Sequence, residues 1–189
     1  MAKHIQENHM LLFLGRIHKR KGIDFLIKSF SELTREMPDV VLVIVGPDGY
    51  KIEVEKLIKT LNLGNRVKLM GYVDEKDKLS AYTDADVLVY PAIHEIFGLV
   101  PFKAMMCGTP IIVTDDCGCG ELVREVNCGY LVKYGDVKGL KEKMRGIIEN
   151  RGEGEEMVES GKKYIVENLT WDKVVRKMEE VYEICICNI

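Results

Sequence analysis

Six short apolar runs punctuate the chain: MLLFLG (10–15), VVLVIVG (40–46), VKLMG (67–71), DVLVYP (86–91), PIIVT (110–114) and CGYLV (128–132). Their hydrophobic residues are mostly consecutive. A strand with one face in water alternates apolar and polar positions, whereas a strand covered on both faces does not, and such strands belong to parallel sheets. Between the runs the period changes. GIDFLIKSFSELTREMP sets Phe25, Leu26, Phe30 and Leu33 near helical spacing and stops at Pro38, and YKIEVEKLIKTLNLG is expected to end on Gly64. Further helices are expected from Asp74 to Tyr82 and from Asp136 to Asn150. After the last run come only helices, GEEMVESGKKYIVENL and WDKVVRKMEEVYEI, which pack outside the sheet or reach elsewhere. Strand, helix, strand repeated with right-handed crossovers predicts an α/β fold, a doubly wound parallel sheet of about six strands. No repeat, low-complexity tract or linker divides residues 1–189, so one domain is expected.

Composition narrows the function classes. A chain of 189 residues, 47% hydrophobic, can bury roughly 70% of the surface it exposes when unfolded, enough for one substantial core. The formal charge of -3 argues against a nucleic-acid or anionic-membrane partner reading the whole surface, so any anion site must be local. No stretch approaches a transmembrane span and MAKHIQENHM lacks the order of a secretory signal, which predicts a cytoplasmic protein. In that compartment the six cysteines are expected as buried, reduced thiols. Cys117-Gly-Cys119 and Cys185-Ile-Cys187 lack the gap of a zinc knuckle, the histidines do not complement them, and no metal site is expected.

In doubly wound sheets ligands bind past the carboxyl ends of the strands. The first run is followed by GRIHKRKG, which packs Arg16, Lys19, Arg20 and Lys21 before a helix N-terminus. A charge run is ordinarily a solvated turn. Here it lies where a helix dipole and free N–H groups already favour anions, which makes it a candidate phosphate site. HEIFGLVPFKAMMCGTP, His94 to Pro110, does the same from the fourth run. Phe97 and Gly98 lead into a helix with unpaired first amides, Gly98 leaves room for a ligand against the backbone, and Glu95 can accept hydrogen bonds from hydroxyls. The glycine-rich turn DDCGCGELV follows the fifth run, but Val123 stands where a dinucleotide fingerprint needs its third glycine, and no Walker loop occurs. NAD and ATPase chemistry are set aside.

LGRIHKRKG, VIVGPDG, VKLMGYV, DADVLVYPAIHEIFGLVPFKAMMCGTPIIVTDDCGCGELV, CGYLV and TWDKVVRKMEEVYE, in that order over nearly the whole chain, resemble the C-terminal domain of the retaining GT-B glycosyltransferases of the group 1 family. The resemblance implies a Rossmann-like sheet that binds a nucleotide-sugar, carrying UDP, GDP or ADP, as donor substrate without cofactor or protein-bound metal. It implies that Arg16 and Lys21 bind the diphosphate, that the helix beginning near Gly98 points its amides at the same group, and that Gly71, Tyr72 and Val73 lie against the base. Glu95 matches the first glutamate of a pair separated by seven residues and would touch the donor sugar, so Glu95, Arg16 and Lys21 are the implied catalytic group. Gly15, Gly46, Phe97, Leu99 and Val100 complete the implied donor site. Transfer would retain configuration, with the departing diphosphate helping to deprotonate the acceptor.

Two departures stand out. The second glutamate, which in the family holds the ribose hydroxyls, is replaced by Lys103. The N-terminal half that contacts an acceptor sugar or lipid is not found in these residues, and through it the whole protein would be peripheral to a membrane. A donor-binding half of a transferase and a non-catalytic nucleotide or nucleotide-sugar binding module are both compatible with the sequence.

Overall fold

The computed structural model describes residues 9–47 and 49–187, apart from the side chain of Cys187. Every apolar run becomes a strand: β1 (His9–Leu14), β2 (Val40–Val45), β3 (Val67–Gly71), β4 (Val87–Tyr90), β5 (Ile111–Thr114) and β6 (Tyr130–Val132). They form one parallel sheet in the order β3-β2-β1-β4-β5-β6. Leu12 sits at its centre, level with Val43 of β2 and Leu88 of β4.

The runs are continuous because the sheet is covered twice. Leu11 and Phe13 face α1 (Ile23–Glu36) and α6 (Val137–Glu149), in a core with Phe30, Leu33, Leu140 and Met144. Met10, Leu12 and Leu14 face the opposite way, into a core with Tyr82 of α3 (Glu75–Asp84), Phe102 and Met105 of α4 (Leu99–Met106), and Leu122 of α5 (Gly118–Val126). Asp74 caps α3 by accepting from the Asp77 amide at 2.8 Å, and Asp136 caps α6 by accepting from Gly139 at 2.9 Å, which places both helix starts where the sequence does. α7 (Arg151–Asn168) lies over α4, where Gly161 leaves no room for a Cβ beside Met105 and Cys128. α8 (Trp171–Cys187) has no buried residue among those described.

Three expectations are corrected. α2 (Lys51–Thr60) ends four residues before Gly64, because Asn62 takes the left-handed turn at φ 57°. DDCGCGELV is not only a turn: Gly118 opens the nine-residue α5. Cys117, Cys119 and Cys128 are buried free thiols, but Cys107 is half-buried and Cys185 is exposed. No described helix is long and apolar enough to cross a membrane.

Candidate functional site

The sheet reverses its winding between β1 and β4, and the crevice beyond those two strand ends is where such sheets take ligands. The loops leaving β1 and β4 interlock there. Gly22, at φ 67°, sits so close to Pro91 that a Cβ would lie 1.9 Å from its carbonyl oxygen, and Ile93 N donates to Arg20 O at 2.9 Å. Across this junction the ammonium of Lys21 donates to the Tyr90 hydroxyl at 2.9 Å and pairs with the Glu95 carboxylate.

The electrostatics fix the protonation states. Partial burial pulls the Lys21 ammonium towards neutrality, but its bonds to Glu95 and Tyr90 outweigh that and hold its pKa above the ordinary lysine value. Burial pushes the Tyr90 phenol up, against the pull of Lys21. At neutral pH the site therefore holds an ammonium and an uncharged phenol. The pair leaves about a quarter of each side chain open, 23% for Lys21 and 27% for Glu95, so a ligand can reach both.

Gly98, at φ 77°, passes close over Tyr90: a Cβ would lie 3.2 Å from the ring and 3.4 Å from Glu95 Cγ. α4 then starts without a side-chain cap and without an acid in its first turn, and Pro101 has no amide to offer. The amides of Leu99 and Val100 are therefore the helix's orphan donors, at the positive end of its dipole. Phe97 stacks on Phe102 with ring centroids 5.0 Å apart, which fixes the approach to this terminus.

The ends of β1, β2 and β3 form the other wall. Gly15 N donates to Val45 O at 2.9 Å, Gly46 N donates to Gly71 O at 2.8 Å, and a Cβ on Gly46 would meet the Gly15 carbonyl at 1.9 Å. Tyr72 follows, 73% exposed with the Lys78 ammonium 5.3 Å from its ring centroid, while Val73 packs on the core.

The structure thus unites Lys21, Glu95, Gly98 and the first amides of α4. Arg16 stands exposed on the β1 loop with no ion pair among the described residues, adjoining the Gly15–Gly46 contact. Lys103 is exposed, and its electrostatic neighbour is Glu75 of α3, whose carboxyl is held low chiefly by Lys78, with a smaller pull from Lys103. Sequence reasoning missed Tyr90. Its signal was a polar-tipped aromatic closing an otherwise apolar run. No group of three or more His, Cys, Asp or Glu among the described residues is arranged to hold a metal ion.

The profile of glycosyl transferases group 1 matches residues 2–183. The chain belongs to this family. A curated relative, the uncharacterized glycosyltransferase MJ1607 of Methanocaldococcus jannaschii, is 29% identical over 180 residues, covering 95% of this chain and 46% of its own. The sucrose-phosphate synthase structure from Thermosynechococcus elongatus superposes with a TM-score of 0.82 at 27% identity, over 97% of this chain and 47% of that one. HepE of Anabaena, solved with UDP and glucose, shares the fold at a TM-score of 0.84 and 22% identity, over 95% and 49%. This group 1 chain spans about half the length of the relatives it matches, and its sheet is the Rossmann-like sheet of the GT-B structures.

Proposed function

We propose that this chain is the donor-binding, C-terminal GT-B domain of a glycosyltransferase, which presents a nucleotide-sugar for transfer to an acceptor with retention of configuration and without a protein-bound metal. The observation that carries the reading is the Lys21–Glu95 pair at the switch point, beside the open N-terminus of α4. That arrangement offers cations and amide donors to a diphosphate and a carboxylate to the hydroxyls of the sugar it carries. Catalysis would come from holding the donor and stabilising the charge of the departing diphosphate, with Arg16 and Lys21 as the cations and Glu95 on the sugar. The ligands in the HepE structure agree with a nucleotide-sugar donor. The acceptor, a sugar or a lipid, would be held by an N-terminal domain in the remaining half, and a cytoplasmic location suits a donor of this kind.

Calorimetry with UDP, GDP and ADP against their nucleosides tests the site: a diphosphate must bind more tightly than its nucleoside, and equal affinities would refute it. Lys103, where the family resemblance expects a ribose-binding carboxylate, favours a second reading, a nucleotide-binding module without transferase activity. Reconstitution with the N-terminal half of a relative separates the two, since only a donor half gains sugar transfer.

A further inference from the structure

Beneath the Glu95 loop lies a cluster that nucleotide binding does not use. Cys117 and Cys119 flank the first residue of α5, with Sγ atoms 3.1 Å apart and side chains almost wholly enclosed, 3% and 0% exposed. The peptide between them carries the loop: Gly118 N donates to Glu95 O at 3.0 Å, and a Cβ on Gly118 would sit 1.8 Å from Ile96 O. Thr114, three residues before Cys117, donates its hydroxyl to Ala92 O at the loop's other end. Ile96 itself is 94% exposed, and its carbonyl lies directly against Gly118, the residue between the two thiols.

The two sulfurs are not equivalent. The contact with Cys119 Sγ, aided by the Gly120 amide, draws Cys117 below the ordinary thiol range against burial and Asp116, while as a thiol Cys117 donates to Thr114 O at 3.1 Å. The same contact, with burial, drives Cys119 up. The sulfur drawn down is the candidate nucleophile and the one driven up the candidate resolving thiol. At two other thiols burial prevails, raising Cys107 against the pull of Lys162 and pushing Cys128 up to about 11 against a hydrogen bond from its own backbone.

We propose that Cys117 and Cys119 form a dithiol oxidation site that a hydroperoxide converts to a disulfide, and that this bond unseats the loop carrying Glu95. The Cys117 thiolate attacks the peroxide oxygen. The O–O bond breaks, Cys117 becomes a sulfenic acid, and the leaving hydroxide takes up a proton as water. Cys119 Sγ then attacks Cys117 Sγ, the S–O bond breaks, and the hydroxyl leaves as a second water with the Cys119 proton. Two thiols lose two electrons and the peroxide gains them. The sulfurs close from 3.1 Å to about 2.05 Å, and the Gly118 peptide between them must turn. Its amide then leaves Glu95 O. Weaker nucleotide-sugar binding follows only if the proposed donor site is correct; the oxidation and the loop release do not depend on it.

The test treats the reduced full chain with hydrogen peroxide at neutral pH. Peptide mass spectrometry is expected to show loss of two hydrogens across Cys117 and Cys119, reversed by dithiothreitol. Cys119→Ser, which keeps a hydrogen-bond donor beside Cys117, leaves a sulfenic acid there that dimedone traps; should that variant fold poorly, the mass and exchange readouts on the unaltered chain decide. Amide exchange of residues 93–98 and Gly118 rises in the oxidised chain, and UDP-glucose affinity falls several-fold. Oxidation of Cys185 with the pair still reduced overturns the site, and a disulfide with unchanged exchange at 93–98 overturns the coupling. If reduced protein binds no nucleotide, the donor reading fails while mass and exchange still decide the dithiol.

Discussion

At the scale of single residues, the Lys21–Glu95 pair changes what each side chain is expected to do. Lys21 is already charged and held in place by Tyr90 and Glu95, so a diphosphate meets a pre-positioned donor with less side-chain freedom left to lose. Arg16 lacks such restraint but is free to move onto the ligand. Alanine at either position is expected to weaken UDP binding by about 1.5–3 kcal/mol, the range for hydrogen bonds to charged groups, read by calorimetry. Glu95 competes with the phosphate for Lys21. Glu95→Gln is therefore expected to leave UDP affinity unchanged or tighter by up to about 1 kcal/mol while weakening UDP-glucose. A loss of UDP affinity itself would mean that the carboxylate holds the nucleotide. Lys103 presents only donors, and its electrostatic neighbour is Glu75. Lys103→Glu would restore two acceptors for neighbouring ribose hydroxyls, so discrimination between UDP and its 2'-deoxy analogue is expected to rise. If the parent protein already discriminates strongly, or the variant binds UDP less well, the lysine has a role of its own.

At the scale of elements, the six strands and most helices were legible because burial on both faces writes consecutive apolar residues, and amphipathic helices write their period. α5 was not legible. Gly118 and Gly120 are poor helix formers, and their reason for being there is tertiary: side chains would collide with Ile96 O at 1.8 Å and Thr114 O at 2.3 Å. The candidate site was legible as separate strand ends, but not its central pair, since Lys21 and Glu95 are 74 positions apart. Glycines show the same divide between local and tertiary causes. Gly64 reads as a helix stop yet has nothing within 4 Å of an added Cβ, whereas Gly22 looks like an ordinary loop glycine and joins the two site loops at φ 67°. Gly22→Ala is expected to cost more than about 2 kcal/mol, from the clash with Pro91 and the left-handed backbone. Gly64→Ala should be neutral or stabilising by up to about 1 kcal/mol, through a less mobile unfolded chain. Urea unfolding of the two variants compares them directly, and similar midpoints would mean that the β1 and β4 loops give way more easily than their packing indicates.

At the scale of the whole molecule, α8 does not fit a self-sufficient domain. The two cores on the faces of the sheet are closed by α1 to α7, while α8 leaves Trp171 83% exposed and Val175, Met178, Tyr182 and Ile186 each at least 46% exposed. Trp171, Val175, Met178 and Tyr182 recur at helical spacing, so this is one stripe of an amphipathic helix rather than scattered apolar residues. A 17-residue helix with no buried residue among those described gains little packing energy and is marginal in water. Under the proposed two-domain organisation, the stripe is matched by a surface in the remaining half of the protein. The chain by itself should then derive almost none of its stability from α8. Deleting residues 171–187 is expected to shift the unfolding free energy by less than about 0.5 kcal/mol, as for surface changes that remove no core contact. The same deletion should lower the tendency of the chain to self-associate through an exposed apolar face, measured by light scattering over a concentration series. In the intact chain, amides of α8 should exchange far faster than those of α7, whose Val158 and Gly161 are buried. A loss of more than about 2 kcal/mol on deletion, or slow exchange along α8, would show that the helix docks on its own domain, and the apolar stripe would then be part of this core and not of an interface.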